Sequence, residues 1–430
     1  MPLIWDKGGD PGPDERVMRF LSGRDIVLDA ELFPYDIVAT RAHADGLARI
    51  GVLSAAERKS IAKALDELLD ESQRGSFVLD DRYEDGHSAI EAYLTEKLGE
   101  VGKKVHTGRS RNDQVLVATR LFLRDALETL ENTNIEIASI CLERAELEVD
   151  TPMPGYTHLQ RAVPSSAGMW FAGFAEAFID NAALARTTRR WINASPLGTA
   201  AGYGVNLPLD RDGVAHDLGF NRLQLNPIYA QNSRGKFEFQ VMSAFAQAML
   251  DLRRLAWDLS LYTSAEFDFI RLPKRYTTGS SIMPNKSNPD VVELLRASYA
   301  PVQGAMAELQ SLLSLPSGYH RDLQFSKEPV MRAVAGALEA LGLLPDLVRS
   351  MDLNRARMRE AIDAGMYATD RAVELTAEGV PFREAYRRVA AESGDLSGRT
   401  PEESLAARIS PGAAADLRLD ILRDRLDELS

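Results

Sequence analysis

Between Gly108 and Pro152 the chain contains neither glycine nor proline, the two residues that most readily interrupt a helix. Over that interval apolar residues recur at helical spacing through Val115, Leu121, Phe122, Leu130, Ile137 and Ile140. A helix of about 37 residues, rising 1.5 Å per residue, is roughly 55 Å long. That is more than one small domain can cover. Four more helical stretches follow, at about 165–194, 236–264, 289–315 and 327–350, and five long helices in succession describe a bundle. Pro301, Gly304 and Pro345 predict kinks in the last two. Long helices rich in Ala and Leu also predict that subunits pack bundle against bundle.

The flanks have a different texture. The run Gly8-Gly9-Asp10-Pro11-Gly12-Pro13 predicts irregular chain, and turns break up the first hundred residues. Ser54 to Gly75 reads as a helix: Ser54 and Glu57 match a capping box, Ile61, Leu65, Leu68 and Leu69 form one stripe, and Gly75 closes it. Ser88 to Leu98 is a shorter one, with Ile90, Tyr93, Leu94 and Leu98 on one side. Strand signals are scarce, with Thr199 to Leu209 the best candidate for extended or irregular chain. Residues 351–430 return to short helices, broken at Gly379-Val380-Pro381, Gly394 and Pro411-Gly412. The expected organisation is all-α in three parts: 1–108, 109–350 and 351–430. At 430 residues the chain is longer than one compact core usually sustains.

Composition excludes several classes. A net charge of −13 argues against a general nucleic-acid surface. No uninterrupted apolar run approaches the roughly 18 residues of a membrane helix. Met1 to Lys7 lacks the basic-then-apolar pattern of a signal peptide, so a cytoplasmic protein is expected. The single cysteine, Cys141, sits in a helical pattern and reads as packing. No His/Cys/carboxylate cluster has metal-ligand spacing, and neither standard glycine-rich nucleotide loop occurs.

Three loops concentrate chemistry. In Gly279-Ser280-Ser281-Ile282-Met283-Pro284-Asn285-Lys286-Ser287-Asn288-Pro289, hydroxyls, backbone N–H groups and a lysine surround a predicted helix start, with Asn288 as N-cap and Pro289 at N1. That combination suits a carboxylate or phosphate. The run from His106 to Gln114 brings Arg109 and Arg111, two hydroxyls and Asn112 to the start of the longest helix, again fitting an anion. The third runs from Met153 to Arg161 and sets His158 between Thr157 and Gln160, at a turn expected to join two helices; this histidine can act as a general base or as its partner. His43 and His87 sit near helix ends beside acids and read as structural, His106 can line the first loop, and His216 and His320 have no clear context.

Taken together, these loops resemble the aspartase/fumarase superfamily of lyases. Thr107 to Gln114 with Met153 to Gln160 resemble the argininosuccinate lyases within it. The likeness extends through Tyr35-Asp36-Ile37, Ala42-His43, Glu84-Asp85, His87, Ala368-Thr369-Asp370 and Gly379 to Ala385, so it covers nearly the whole chain. It implies a three-domain, mostly helical homotetramer whose five-helix segments assemble into a twenty-helix core. Each active site would gather its loops from three subunits.

The implied reaction is reversible β-elimination, in which argininosuccinate gives arginine and fumarate. Removing a weakly acidic proton beside a carboxylate creates an aci-carboxylate that fixed positive and N–H groups must meet. The resemblance implies Ser280 as the base, with Ser281 beside it as the alternative, and Lys286 and Asn288 as stabilisers of the aci-carboxylate. His158 paired with Glu293 would serve proton transfer to the leaving guanidino group. Thr157, Arg111 and Asn112 would grip the succinyl carboxylates, and Tyr319, Arg321, Gln324 and Lys327 the rest of the substrate. No metal or organic cofactor is implied, since the leaving group departs as a delocalised guanidine.

This sequence departs from the commoner pattern in three places. Asp25 stands where many members carry a serine, Gln231 to Lys236 replaces a longer acidic run, and Phe325-Ser326 replaces a Glu-Asp pair before Lys327. All three lie where the amino-acid half of the substrate would be read. They leave open an N-acylated argininosuccinate, a diamine-succinate or, less compatibly with the first loop, an adenylosuccinate. A catalytically silent relative of the crystallin kind is disfavoured by the presence of His158, Ser280, Lys286 and Glu293.

Overall fold

The structure, a computed structural model, describes residues 14–80, 82–313, 318–391, 396 and 398–429. The expected irregular run Gly8–Pro13 and the break at Gly394 lie outside the described residues. Among the described residues the chain is predominantly helical, and its strands are short and two-stranded in pairing.

The uninterrupted stretch forms one helix, Arg111–Leu147, of 37 residues. Ala167–Ile192 and Lys236–Tyr262 are likewise single long helices. The last two stretches are interrupted. Asp290–Ala297 gives way to Tyr299–Leu312, and Lys327–Gly342 to Leu344–Ser350. Each break lies three or four residues upstream of Pro301 or Pro345, where a proline ring crowds the carbonyl four residues back and supplies no N–H to it.

The N-terminal third is more regular than its turn-rich sequence suggests. Asp25–Arg49 is one helix of 25 residues that runs through Pro34. Buried Leu32, Phe33, Ile37 and Leu47 hold it on either side of the missing N–H. Each such buried side chain contributes about 1.5–3 kcal/mol, comparable with the interruption it offsets. Ala55–Gln73 carries the predicted capping box: Ser54 Oγ accepts from Glu57 N–H at 3.3 Å and Glu57 accepts from Ser54 N–H at 2.8 Å. Gly86–Leu98 starts at an Asp85 N-cap, two residues before the predicted start.

Contacts group the chain into two compact units. One comprises Met1–Thr129, Ala185–Ala244 and Pro301–Ala335; the other comprises Leu130–Leu184, Phe245–Ala300 and Gly336–Ser430. In the first, Phe33, Ile37, Leu47, Ile61, Leu65, Leu68, Ile90 and Leu94 pack three N-terminal helices together. A second cluster, Ala39, Ala42, Val117, Leu121, Leu197, Val214, Leu218 and Phe220, fastens Asp25–Arg49 to the start of the longest helix. Leu32, Ala118 and Met331 bring in Lys327–Gly342. These contacts align three helix starts around one polar cavity. The predicted irregular stretch 199–209 is indeed irregular; Arg120, buried over the Phe237 ring at 3.8 Å, donates to the Ile192 and Ala194 carbonyls just ahead of it.

In the second unit the sequence reading missed a hairpin. Pro152–Thr157 pairs antiparallel with Gln160–Ser166, so His158 occupies a β-turn and not a connection between helices. Tyr156, Trp170, Tyr262, Phe267 and Phe269 form an aromatic chain beside it, and Trp170 Nε1 donates to Asp258 at 2.9 Å. Arg161 on the second strand pairs with Asp363 at 2.8 Å. Further along, the buried Asp370 carboxylate accepts from Ser404 and from Arg408, the latter at 2.6 Å.

Gly102 offers a test of the packing that delivers the first loop. A Cβ there would lie 2.2 Å from the Leu94 carbonyl oxygen. Gly102→Ala is expected to lose about 2 kcal/mol or more, because backbone and not a yielding side chain is in the way. Thermal unfolding of the two proteins measures it, and an unchanged midpoint would refute the tight packing.

Candidate active site

The predicted site residues fall into two sets, one in each unit. The first lines a cavity of about 190 Å³ bounded by Asp25, Asp29, Glu84, Asp85, His87, Arg111, Asn112, Val115, Arg234, Tyr319, Arg321, Gln324 and Lys327. Arg111, Asn112, Tyr319, Arg321, Gln324 and Lys327 are thus brought together, although 208 positions of numbering separate Arg111 from Tyr319. Apart from Val115, every residue lining the cavity is polar or charged.

Asp113 shapes this end of the long helix. Its carboxylate accepts the N–H groups of Ser110 at 2.9 Å, Gly198 at 3.0 Å and Ala200 at 2.8 Å. One side chain therefore caps the helix and pins the 197–200 segment against it. Burial outweighs those donors and pushes its carboxyl up to about 6. Arg109 turns inward, away from solvent, and donates to Thr40 Oγ1 at 2.8 Å. Arg111 reaches the cavity and pairs with Glu84 at 2.9 Å and Asp85 at 3.3 Å. Its Nη2 is buried without a hydrogen-bond partner among the described residues, as is Glu84 Oε2. That donor is placed to receive an anion from the cavity.

At the opposite wall Lys327 is buried, 3.0 Å from Asp25 and 2.5 Å from Asp29. Asp29 also accepts the Gly86 N–H at 2.9 Å. Arg321 and Gln324 donate to the Leu21 carbonyl at 3.0 and 2.8 Å, closing the cavity rim against the last turn of the first helix, Glu15–Ser22. Sequence reasoning passed over His87, taking it as structural. Its Nδ1 lies 2.5 Å from Asp36 Oδ2. Burial would lower its pKa, but the charges of Asp36, Asp85 and Asp29 prevail and raise it to about 9. His87 is therefore a cation in the cavity wall at neutral pH. The acid-rich Glu84-Asp85-x-His87 spacing was the available signal. His43 behaves in the opposite way: burial drives it down to about 3, and as a neutral ring it bonds the Thr107 carbonyl at 2.9 Å.

The second set is mostly exposed, with Ser280 and Asn288 half-buried. Thr157 pairs with Gln160 at the end of the hairpin, and the two intervening residues, His158 and Leu159, have φ of 55° and 57°. This is a type I′ turn, which favours Asn-Gly and holds a histidine only at a cost in backbone strain. The turn projects His158 into solvent beside the Trp170, Trp257 and Tyr262 cleft. The serine-rich loop is a second hairpin, Thr278–Gly279 pairing with Ser287–Asn288. The helix after it has Pro289 at its N-cap and begins at Asp290, so Asn288 ends a strand and does not cap the helix as the sequence suggested. Strand pairing holds Asn288 in line with Thr278, which leaves the N-cap position to Pro289. At the loop tip Ser280 Oγ accepts the Ile282 and Met283 N–H groups at 3.3 and 3.1 Å. Ser281, Lys286 and Glu293 are exposed, and in the single chain His158 and Glu293 form no ion pair with each other. Among the described residues no group of three or more His, Cys, Asp or Glu side chains is arranged to hold a metal ion, and no helix is long and apolar enough to cross a membrane.

Comparison with known proteins gives consistent findings. The family described as Lyase matches residues 17–304. The chain is 59% identical over 429 residues to the argininosuccinate lyase of Stenotrophomonas maltophilia (strain R551-3), covering 100% of this chain and 99% of that one. It is 58% identical over 428 residues to the argininosuccinate lyase of Xanthomonas campestris pv. campestris, covering 99% of each. Among solved structures it is similar to EDDS lyase in complex with formate, at 26% identity and a TM-score of 0.80, covering 97% of this chain and 91% of that one.

The charged state of His87 has a consequence for pH. A histidine raised from an unfolded value near 6.5 to about 9 contributes stability that is fully present below about pH 6.5 and is lost as pH rises through about 9. Unfolding free energy is expected to fall by up to about 3 kcal/mol between pH 7 and 10 through this group. His87→Gln removes that component while keeping a hydrogen bond to Asp36. Denaturant titrations of both proteins across the window check it; parallel pH profiles would contradict the assignment.

Proposed function

The chain belongs to the lyase family of the aspartase/fumarase superfamily, and from that membership we propose its reaction: cleavage of argininosuccinate to arginine and fumarate. The observation that carries the reading is the 59% identity to a protein of that activity, sustained over the full length of both chains. The reaction is a carbon–nitrogen elimination, reversible, and belongs to arginine biosynthesis. The 26% identity to EDDS lyase leaves diamine-succinate cleavage well behind it.

In this reading Ser280 removes the proton beside the succinyl carboxylate. Two backbone N–H groups already point at its oxygen, and donors of this kind favour the alkoxide over the hydroxyl. Lys286 and Asn288, at the base of the same hairpin, meet the charge of the aci-carboxylate. Ser281 remains the alternative base from its position next in the chain. His158, in partnership with Glu293, protonates the departing guanidino nitrogen or orients the group that does. Thr157, Arg111 and Asn112 hold the succinyl carboxylates, with Arg111 Nη2 the unengaged donor. Tyr319, Arg321, Gln324 and Lys327 take the amino-acid portion.

The reading further holds that the protein works as a cytoplasmic homotetramer of three-domain chains, divided near residues 108 and 350, whose central helices form a twenty-helix core. Supporting this, His158, Ser281, Lys286 and Glu293 are exposed in a single chain, where water competes for every charge the elimination needs. Large apolar groups stand exposed near them, Ile282 at 83% and Leu294 at 71%, with Trp257 and Met169 also partly uncovered. Neighbouring subunits would cover these groups and bring the two sets of residues to one substrate.

Purified protein supplied with argininosuccinate is expected to release fumarate, followed by its absorbance, and Ser280→Ala to lower kcat by about 10³-fold. Full activity in that variant would transfer the role to another group. The native mass is expected near 190 kDa, four chains of 47.4 kDa. Co-expression of Ser280→Ala with Arg111→Ala chains should restore part of the activity each lacks alone, since hybrid tetramers contain intact sites. Absence of recovery in hybrids confirmed by mass would count against sites shared between subunits.

A further inference from the structure

Glu148 lies buried just beyond the end of the longest helix, and no step of the proposed elimination uses it. One of its carboxylate oxygens takes Arg355 Nη2. The other takes Arg355 Nε at 3.1 Å and the Thr151 hydroxyl at 2.7 Å. Arg144, 3.8 Å away, lies beyond hydrogen-bond distance. Backbone bonds converge on the same place. The Glu148 carbonyl accepts the N–H groups of Thr151 at 3.1 Å and Gly168 at 2.9 Å, and the Thr151 carbonyl accepts the Ala167 N–H at 2.9 Å. Glu148 therefore ties together the two ends of the hairpin that carries His158. Gly168 permits so close an approach: a Cβ there would lie 2.6 Å from Val149 Cα and 2.9 Å from the Glu148 carbonyl oxygen.

The partners of this hairpin come from one C-terminal stretch, residues 352–363. Arg355 opens the short helix Arg355–Glu360, and Asp363 pairs with Arg161 on the second strand at 2.8 Å. Between them, Arg357 donates to the Glu266 and Phe267 carbonyls at 3.0 and 3.3 Å. Asn354 donates its side-chain N–H to Asp268 and its backbone N–H to the Phe269 carbonyl, both at 2.8 Å. These bonds fix the loop bearing Phe267, whose ring meets Tyr156 edge-on at 5.5 Å, one residue before Thr157. The stretch thus grips the hairpin at its root, along its second strand and, through Phe267, near its tip.

The first strand is six residues long. His158 therefore stands at the end of a lever of roughly 20 Å, at about 3.3 Å per residue. A tilt of about 3° at the root would carry the imidazole about 1 Å, and a misplacement of that size can cost about 100-fold in rate. We propose that Glu148 and Arg355 are positioning residues for the elimination: their ion pair sets the angle of the hairpin and so the reach of His158 toward the leaving nitrogen. The inference rests on the role given to His158 above. Both residues act through the hairpin and not on the substrate. A guanidinium forked against a carboxylate fixes direction as well as distance, which the point charge of a lysine does not.

The test measures kcat and KM for fumarate release from argininosuccinate by full-length proteins of wild-type native mass. Arg355→Met is expected to lower kcat about 30-fold or more, with KM within about threefold because the substrate-binding cavity is untouched. Arg355→Lys keeps the charge but not the fork and should lose about fivefold or more. In a His158→Asn background the Arg355→Met change should cost less than about threefold, because the group it positions is gone. Wild-type kcat in Arg355→Met overturns the inference. So does an equal loss in both backgrounds, which is the mark of general loosening. If Arg355→Met does not fold, Arg355→Lys takes its place in the cycle, with wild-type kcat or equal losses again the overturning results. Full activity of His158→Asn would instead remove the role on which the inference rests.

Discussion

An ammonium removed from water must be compensated where it stands, and in this protein that requirement falls on Lys327. Burial alone would drive it toward the neutral form; Asp29 and Asp25 reverse the effect and hold its pKa above the ordinary lysine value. Removing one partner of such a buried pair typically costs about 3–5 kcal/mol, because the remaining charge is left unpaired. The pairing also has a geometric result. Asp25 and Asp29 lie one helical turn apart on Asp25–Arg49, Lys327 begins Lys327–Gly342, and Asp29 additionally holds Gly86 at the start of Gly86–Leu98. Three helix starts are joined at one point, and the cavity that Arg111, His87 and Tyr319 line is the space between them.

Asp113 does comparable work for the neighbouring wall, with backbone in place of charge. Three N–H groups from two segments converge on one carboxylate, so the first turn of the longest helix and the 197–200 loop cannot move independently. This rigidity is what allows Arg111 to present a buried, unengaged Nη2 to the cavity while two acids hold the rest of its guanidinium. A binding site for an anion needs donors positioned before the anion arrives, and these partners supply the positioning.

The elimination residues are held differently. His158 is kept at the apex of a type I′ turn by strand pairing on both sides, in a conformation that a β-carbon resists, and Ser280 sits at the tip of a two-residue ladder. Both are presented on hairpins, and His158 is exposed in one chain while Ser280 is half-buried. Under the proposed tetrameric reading, burial by neighbours converts exposed polar groups into a water-excluded set, and the same burial covers Ile282 and Leu294. Association and catalysis would then depend on the same surfaces.

The sequence by itself determined the long helices, because absence of glycine and proline with a sustained 3.6-residue stripe leaves little else for residues 111–147 to form. It also determined the capping box at Ser54 and, through loop residues quoted in order, the superfamily and its reaction. It was weaker wherever partners distant in the chain decide the outcome. Packing of Phe33 and Ile37 keeps Asp25–Arg49 helical through Pro34, and the hairpins around His158 and Ser280 were invisible because Met-Pro-Gly and Gly-Ser-Ser do not alternate as strands usually do. The state of each buried charge was also beyond reach. His87 and His43 look alike beside acidic neighbours in sequence; only tertiary structure put one against Asp36 as a cation and the other against a carbonyl as a neutral ring. The three departures at Asp25, 231–236 and 325–326 read as separate oddities along the chain. Folding decided that Asp25 and Arg234 share one wall with Lys327, because electrostatic partners are chosen by proximity in space, which the order of residues does not state.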